Sequence, residues 1–245
     1  MQTDLIINRA LLQQYAEIIE TPSLPRLWLT QHLALAKRPE CIDLTCAAFS
    51  QKMPNAVVRA VPKRQYEFII GRLAAGVLLI ENGIPAEDSW IASWHRQPVW
   101  PKGIIGSISH SSELVSVAVR PKGYGIDSIG IDIEYLDQNS QSMRALTRCF
   151  THKERALLEQ IENGLIIGFS IKESLFKCLH PMTGNFFDFL DAQITYADTI
   201  SQSVDCVLQC NLGEGLNSGT CLQGKYRIFR NHVWTGVFWS DTDKV

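Results

Sequence analysis

Two acidic side chains stand two positions apart in residues 129–134, which read I-G-I-D-I-E. Isoleucine alternates here with Gly130, Asp132 and Glu134, and this period of two predicts a strand with its isoleucines on one face and both carboxylates on the other. Side chains two apart in a strand are separated by roughly 7 Å at their bases, so the two carboxylates can converge on one divalent cation. The alternative is a half-buried strand whose polar face is solvated.

A second pair of charged residues, Glu173 and Lys177, lies four positions apart in residues 161–179. The apolar residues of this segment recur at helical spacing, which predicts a helix that Pro181 ends. Glutamate four residues before lysine is the favourable order for an ion pair on a helix surface. A surface ion pair would be a structural role for the two residues. The alternative is a catalytic role, in which both side chains lie beside a reacting phosphate.

Thr151 and Glu154 have the spacing of a capping box at the start of the preceding helix. The box gives Glu154 a structural role that must be weighed against a catalytic one. If it were the only role, Glu154→Gln would preserve both stability and rate, because glutamine can make the same backbone contact.

Two N-terminal segments, residues 5–19 and 62–80, have the apolar spacing of helices. The second is strongly amphipathic, and Arg64 and Arg72 lie on its flanking or opposite faces. Taken alone, a solvated charged face is the favoured explanation for these two arginines, and an anion-binding site is the alternative.

Residues 104–110 and 114–119 are two strand-like runs joined by a tight polar link, which predicts a hairpin with His110 at the end of its first strand. Taken alone, this histidine is a structural residue. A segment rich in glycine and proline follows the hairpin, and we interpret residues 122–128 as a connector between two halves of the chain.

The bulk composition narrows the function classes. The chain has 245 residues, of which 46% are hydrophobic, and this suffices for a packed core. A formal net charge of −2 provides no general field for nucleic acid or an anionic membrane, so an anionic ligand needs a local basic cluster. The seven cysteines are odd in number and form no metal-binding spacing. We therefore expect reduced thiols, a cytoplasmic location, and neither a signal peptide nor membrane insertion.

Several short blocks occur together in one order. They are R-x-x-x-F-x-x-G-R at 64–72, W-P-x-G at 100–103, G-S-I-S-H at 106–110, I-G-I-D-I-E at 129–134, F-T-x-x-E at 150–154 and F-S-I-K-E-S-L-F-K at 169–177. Each block alone is weak, but their joint occurrence is specific. The combination resembles the 4'-phosphopantetheinyl transferase family, and most closely the siderophore-type branch that includes enterobactin synthetase component D.

The resemblance implies an α+β fold of two similar halves, residues 1–127 and 128–245, related by a pseudo-twofold axis with the active site in the cleft between them. It also implies an activity. The 4'-phosphopantetheine arm of coenzyme A is transferred to a serine of an apo acyl or peptidyl carrier protein, with Mg²⁺ (Mn²⁺ as an alternative), and adenosine 3',5'-bisphosphate is released. Siderophore or other secondary-metabolite biosynthesis is the implied setting, and we expect a monomer.

In the C-terminal half, the resemblance implies that Asp132, Glu134 and Glu173 bind the metal. Either Glu173 or Glu154 is the expected base for the serine hydroxyl, and the sequence does not choose between them. Lys177 is expected to steady charge on the transferring phosphate or the leaving oxygen, and Lys172 to help bind phosphate.

In the N-terminal half, the resemblance implies contacts with coenzyme A. Arg64, Arg72 and His110 are expected to bind its 3'-phosphate, and Ser109 to lie beside the phosphates. Arg96 is a further expected contact.

Two other function classes compete with this interpretation. A metal-dependent phosphohydrolase or nuclease also gathers acidic residues around a divalent ion, but the balanced charge and the lack of an aromatic and basic tract argue against nucleic acid. A non-catalytic coenzyme A-binding module would not need Glu173 or Lys177, and both are present. The sequence leaves open which carrier protein and which pathway the enzyme serves.

Overall fold

The computed structural model describes most of the chain, and its described residues form two compact units. The described ranges are 7–19, 31–85, 92–94, 97–112, 114–123, 125–136, 140–213 and 215–240. Of the described residues, those up to Pro121 belong to the first unit and those from Lys122, the first residue of the predicted connector, belong to the second.

The first unit combines helices with an antiparallel sheet. Its elements are α1 (Arg9–Tyr15), β1 (Ala16–Ile19), β2 (Gln31–Lys37), α2 (Ile42–Phe49), α3 (Asn55–Val58), α4 (Pro62–Glu81), β3 (Ser93–Trp94), β4 (Gln97–Pro98), β5 (Ile104–His110) and β6 (Leu114–Pro121). The main sheet has the strand order β1-β2-β6-β5. The predicted long helix and the predicted hairpin are confirmed as α4 and the β5–β6 pair.

The predicted helix over residues 5–19 is wrong in its last part. The described helix ends at Tyr15, and Ala16–Ile19 form β1, which pairs with β2. The helical spacing of the apolar residues is present in the sequence, but the strand ladder satisfies the backbone of these four residues instead.

Helix α4 packs against the β5–β6 hairpin, and Gly71 lies at the contact. A Cβ atom at Gly71 would come within 3.0 Å of Ile108 on β5. The glycine therefore allows the close approach that brings the charged end of α4 near the end of β5.

The second unit has a five-stranded antiparallel sheet. Its elements are β7 (Ser128–Tyr135), α5 (Ser140–Leu146), α6 (His152–Leu158), α7 (Gly164–Thr183), β8 (Ala192–Asp198), β9 (Ser203–Leu208), β10 (Cys221–Phe229) and β11 (His232–Trp239). The strand order is β7-β11-β10-β9-β8. Helices and sheet together confirm the α+β class.

Helix α7 lies directly on the polar face of β7. A Cβ atom at Gly130 would be only 1.9 Å from the carbonyl oxygen of Ser174, so the helix backbone occupies the space over this residue. The isoleucines of the opposite face are at most 1% exposed, and Asp132 is 4% exposed. The interpretation of β7 as a strand with a solvated polar face is therefore wrong at Asp132, because α7 covers that face.

Pro181 does not end α7, contrary to the sequence prediction. The helix continues to Thr183 and ends at Gly184, whose positive φ of 64° suits glycine. Proline in the last turn removes one backbone hydrogen bond, and this cost does not stop the helix here. Within the described ranges, no helix is long and apolar enough to cross a membrane.

Candidate active site

Asp132 is held by two side chains of α7. The Lys177 ammonium donates to Oδ1 at 2.6 Å, and the Ser170 hydroxyl donates to Oδ2 at 2.8 Å. Asp132 is buried, whereas the Lys177 side chain is 27% exposed. The lysine thus links a buried carboxylate to a position that a ligand can reach.

Three hydroxyl groups beside Asp132 fix α7 against the sheet. Thr235 on β11 lies opposite Asp132 in the strand register. Its Oγ1 donates to the Ser170 carbonyl at 2.9 Å and lies 2.8 Å from the Ser170 hydroxyl and 2.7 Å from the Ser174 hydroxyl. All three residues are fully buried. These hydrogen bonds set the position of the helix above the strand and were not predicted from the sequence.

Glu134 and Glu173 share the electrostatic environment of Asp132. Burial, together with the charges on Asp132 and Glu173, raises the pKa of Glu134 to about 8, while Lys177 acts in the opposite direction. Burial also raises the pKa of Glu173, with Lys177 opposing and Asp132 adding to the shift. The three carboxylates lie close enough for their charges to interact, and Lys177 is the cation that acts on both glutamates.

The described residues contain no set of three or more His, Cys, Asp and Glu side chains arranged closely enough to hold a metal ion. Asp132 instead directs its two oxygens at Lys177 and Ser170. The donor chemistry nevertheless fits a hard divalent cation, because carboxylate oxygens are its preferred ligands. A cation would also offset the unfavourable burial of negative charge at Glu134.

Glu154 and Lys172 form a buried ion pair, and Lys172 is the residue before Glu173 on α7. The Lys172 ammonium lies 2.6 Å from Glu154 Oε1, and it also donates to the carbonyls of Cys149 at 3.0 Å and Phe189 at 2.7 Å. The two side chains are at most 1% exposed. All three donors of the ammonium group therefore have acceptors within the protein.

The carboxylate of Glu154 is equally engaged. Oε2 accepts the Thr151 N–H at 2.7 Å, and Oε1 accepts the Ile194 N–H at 2.9 Å. The reciprocal bond, from the Glu154 N–H to the Thr151 hydroxyl oxygen at 3.3 Å, confirms the predicted capping box. In this arrangement both oxygens of Glu154 and all three donors of Lys172 are engaged within the protein. Their expected roles as base and phosphate ligand stay predictions.

An aromatic pocket of about 160 Å³ lies in the second unit, and Glu173 is part of its lining. Phe176 is its centre, with ring centroids 5.6 Å from Phe186 and 5.3 Å from Phe187. Phe186 is 77% exposed, so part of this apolar surface is open to solvent. The sequence pattern did not indicate this pocket, because most of its lining residues follow the end of α7 and show no periodicity.

Arg72 is a buried cation in the first unit. It is 5% exposed, donates from Nη2 to the Ser93 hydroxyl at 2.8 Å, and lies 4.7 Å from the centroid of the Phe68 ring. Among the residues that the structure describes, none is a hydrogen-bond partner of its Nε. Burial, followed by the charge on Arg64, lowers the pKa of Arg72 to about 10. An anion beside this guanidinium would accept a hydrogen bond from Nε and would stabilise the charged form of Arg72.

Arg64 and His110 lie in contact in the same unit, and both approach Glu67. The Arg64 Nη1 is hydrogen-bonded to the His110 Nε2. Glu67 Oε2 lies 3.7 Å from Arg64 Nη1 and 3.4 Å from His110 Nδ1. Lys37 completes the group, with its Nζ 2.5 Å from Glu67 Oε1. Sequence reasoning missed Glu67 and Lys37, although the i,i+3 spacing of Arg64 and Glu67 was a signal for the former.

Ser109 precedes His110 on β5. Ile108 faces α4, and in a strand the residue two positions on, His110, faces the same way. Ser109 therefore points to the opposite face of the sheet, where it is buried. Arg96 lies outside the described residues.

Two sequence families match the chain. The 4'-phosphopantetheinyl transferase N-terminal domain matches residues 53–120, and the 4'-phosphopantetheinyl transferase superfamily matches residues 128–234.

Among characterised relatives, the 4'-phosphopantetheinyl transferase Svp of Streptomyces mobaraensis is 30% identical over 176 residues, which cover 70% of this chain and 69% of Svp. The 4'-phosphopantetheinyl transferase PptT of Mycobacterium tuberculosis is 28% identical over 189 residues, or 74% of this chain and 82% of PptT. Enterobactin synthase component D of Escherichia coli K12 is 37% identical over 142 residues, or 54% of this chain and 62% of that protein.

Proposed function

Because this chain belongs to the 4'-phosphopantetheinyl transferase superfamily and is an enzyme of that class, we propose that it transfers the 4'-phosphopantetheine arm of coenzyme A to a serine of an apo acyl or peptidyl carrier protein. Adenosine 3',5'-bisphosphate is the product released. The observation that best supports this proposal is the group of interacting carboxylates and one reachable lysine on the covered face of β7.

Asp132, Glu134 and Glu173 are the proposed ligands of Mg²⁺, with Mn²⁺ as an alternative. When bound, the cation offsets the negative charge of the coenzyme A pyrophosphate and polarises its oxygens. The hydroxyl network of Ser170 and Thr235 supports this role, because it fixes one proposed ligand, Asp132, in a single orientation.

Glu173 is the proposed base for the serine hydroxyl. It is only partly buried, whereas both oxygens of Glu154 already accept hydrogen bonds inside the protein. Lys177 lies one helical turn from Glu173 and has a partly exposed side chain. Its ammonium group supplies the positive charge that stabilises the transferring phosphate or the leaving oxygen.

The aromatic pocket around Phe176 is the proposed site for the pantetheine arm. Its lining includes Glu173, so a chain that occupies the pocket has one end beside the proposed base. The apolar stems of the arm can pack on the phenylalanine rings without leaving polar protein groups unpaired.

Arg64, Arg72 and His110 are the proposed contacts of the 3'-phosphate. The buried guanidinium of Arg72 supports this assignment most directly, because its Nε has no hydrogen-bond partner among the described residues. A dianionic phosphate would balance its charge and accept its remaining hydrogen bond.

Intact-mass analysis of an apo carrier protein tests the proposal. Incubation with this protein, coenzyme A and Mg²⁺ should increase the carrier mass by one phosphopantetheine arm, and Glu173→Ala should abolish the increase. Glu162→Ala is a matched control, because Glu162 is exposed. Unchanged carrier mass with several acyl and peptidyl carrier proteins would contradict the proposal, and cleavage of coenzyme A without carrier modification would indicate a hydrolase.

A further inference from the structure

The contact between Arg64 and His110 indicates which ring nitrogen carries the proton when the histidine is neutral. A guanidinium group can only donate hydrogen bonds, so His110 Nε2, which contacts Arg64 Nη1, must accept one. In a neutral imidazole the ring proton then lies on Nδ1. Nδ1 faces Glu67 Oε2 at 3.4 Å, and a carboxylate is the appropriate acceptor.

Glu67 is the centre of this group. One oxygen lies 2.5 Å from Lys37 Nζ, and the other lies 3.4 Å from His110 Nδ1 and 3.7 Å from Arg64 Nη1. Its three basic neighbours come from three elements, β2, α4 and β5. A single carboxylate therefore ties together segments that are distant in the sequence.

Lys37 connects the same carboxylate to the backbone that follows His110. Its ammonium group donates to the carbonyls of Ser111 and Ser112, the latter at 3.2 Å. The Lys37 and Glu67 side chains are 6% and 7% exposed, whereas those of Arg64 and His110 are 48% and 36% exposed. The two buried residues thus lie beneath the two that a ligand can reach.

We propose that Glu67 is a positioning residue for the binding of the coenzyme A 3'-phosphate. Glu67 holds Arg64 and His110 together, and Lys37 balances the charge of Glu67. This inference rests on the proposed function of Arg64 and His110. Glu67 itself does not touch the phosphate, because like charges would repel. It acts by fixing the direction in which its two exposed neighbours present their donors.

A purely electrostatic role and a positioning role of Glu67 predict opposite effects of Glu67→Gln on phosphate binding. The substitution removes one negative charge from the basic group, so electrostatics alone would strengthen the binding of a phosphate. If Glu67 positions Arg64 and His110, the same substitution weakens binding, because the two donors lose their common acceptor. The sign of the change therefore identifies the role.

The experiment compares coenzyme A with dephospho-coenzyme A, which lacks the 3'-phosphate. In Glu67→Gln, kcat/KM for coenzyme A should fall about tenfold, mainly through KM, while the dephospho compound is little affected. Glu81→Gln is the matched control, because Glu81 lies on the same helix and forms an exposed ion pair with Arg9. The control should keep the wild-type preference for coenzyme A.

Glu67→Gln leaves the buried Lys37 charge unbalanced, and this can reduce stability. The double variant Lys37→Met/Glu67→Gln removes both buried charges, leaves the net charge of the group unchanged, and should show the same loss of preference. Calorimetry can also compare the affinity of wild type and of each variant for adenosine 3',5'-bisphosphate, in a measurement that needs no turnover.

A retained or increased preference for coenzyme A in both variants would overturn the inference, as would equal losses on both substrates. Failure of the proposed function has a different result, since wild type would then leave the carrier protein unmodified with either substrate.

Discussion

The buried pair of Glu154 and Lys172 makes a prediction about stability that separates a structural role from a catalytic one. Glu154 accepts hydrogen bonds from the Thr151 N–H on one oxygen, and from the Ile194 N–H and the Lys172 ammonium on the other. Glutamine has only one oxygen. In Glu154→Gln its amide N–H₂ must therefore face a donor on one side or the other, and Lys172 loses its carboxylate partner.

Breaking one partner of a buried ion pair costs about 3 to 5 kcal/mol, and we expect Glu154→Gln to lower the free energy of unfolding by this amount. Lys172→Met should have a similar effect, because it leaves the buried carboxylate of Glu154 with only its two backbone donors. The double variant should be less destabilised than the sum of the two, with a coupling energy above about 1 kcal/mol. Urea unfolding of the four proteins, followed by circular dichroism, measures all three values.

The same variants are assayed for transfer under conditions where each is folded. We expect turnover per folded molecule to change little in Glu154→Gln. A loss of stability below about 1 kcal/mol, together with a large loss of turnover, would refute the structural assignment and return Glu154 to the mechanism as the base.

Four further changes test other parts of the structure. Gly130→Ala should prevent folding of the second unit, since its Cβ would lie 1.9 Å from the Ser174 carbonyl oxygen. A variant with the circular dichroism spectrum and melting temperature of wild type would contradict the packing described. Lys177→Ala should lower kcat more than it raises KM for coenzyme A, and steady-state kinetics with the reverse pattern would make Lys177 a binding residue only. Arg72→Ala should reduce the preference for coenzyme A over dephospho-coenzyme A in competition assays, whereas an unchanged ratio would remove Arg72 from the 3'-phosphate site. Chelation with EDTA should abolish transfer, and added Mg²⁺ or Mn²⁺ should restore it; activity that survives exhaustive chelation would contradict the metal proposal.

Local patterns in the sequence predicted the elements that carry the site. Helix α4, the β5–β6 hairpin and strand β7 follow from apolar periodicity, and the capping box follows from the types and spacing of Thr151 and Glu154. These features depend on neighbours within a few residues, which is why a sequence alone contains them.

The contacts that define the site depend on distant segments and were not predictable in this way. Lys37 and Glu67 are 30 positions apart, and Ser170 and Thr235 are 65 apart. No local pattern indicates that such residues meet. The same reason explains the error at β7, whose second face is covered by a helix that starts about thirty residues later.

The hydroxyl network under α7 has a consequence for changing the substrate range of the enzyme. Apolar contacts allow a helix to slide by a small distance. The hydrogen bonds that join Ser170 and Ser174 to Thr235 are directional, so they fix the position of α7 along its axis and its rotation about that axis. Any redesign of this helix face would shift Glu173 and Lys177 together. Phe186 lies beyond the end of α7 and is 77% exposed, so its side chain can be altered without changing that setting. If the pocket holds the pantetheine arm as proposed, variation for new analogues belongs at Phe186, with α7 left as it is.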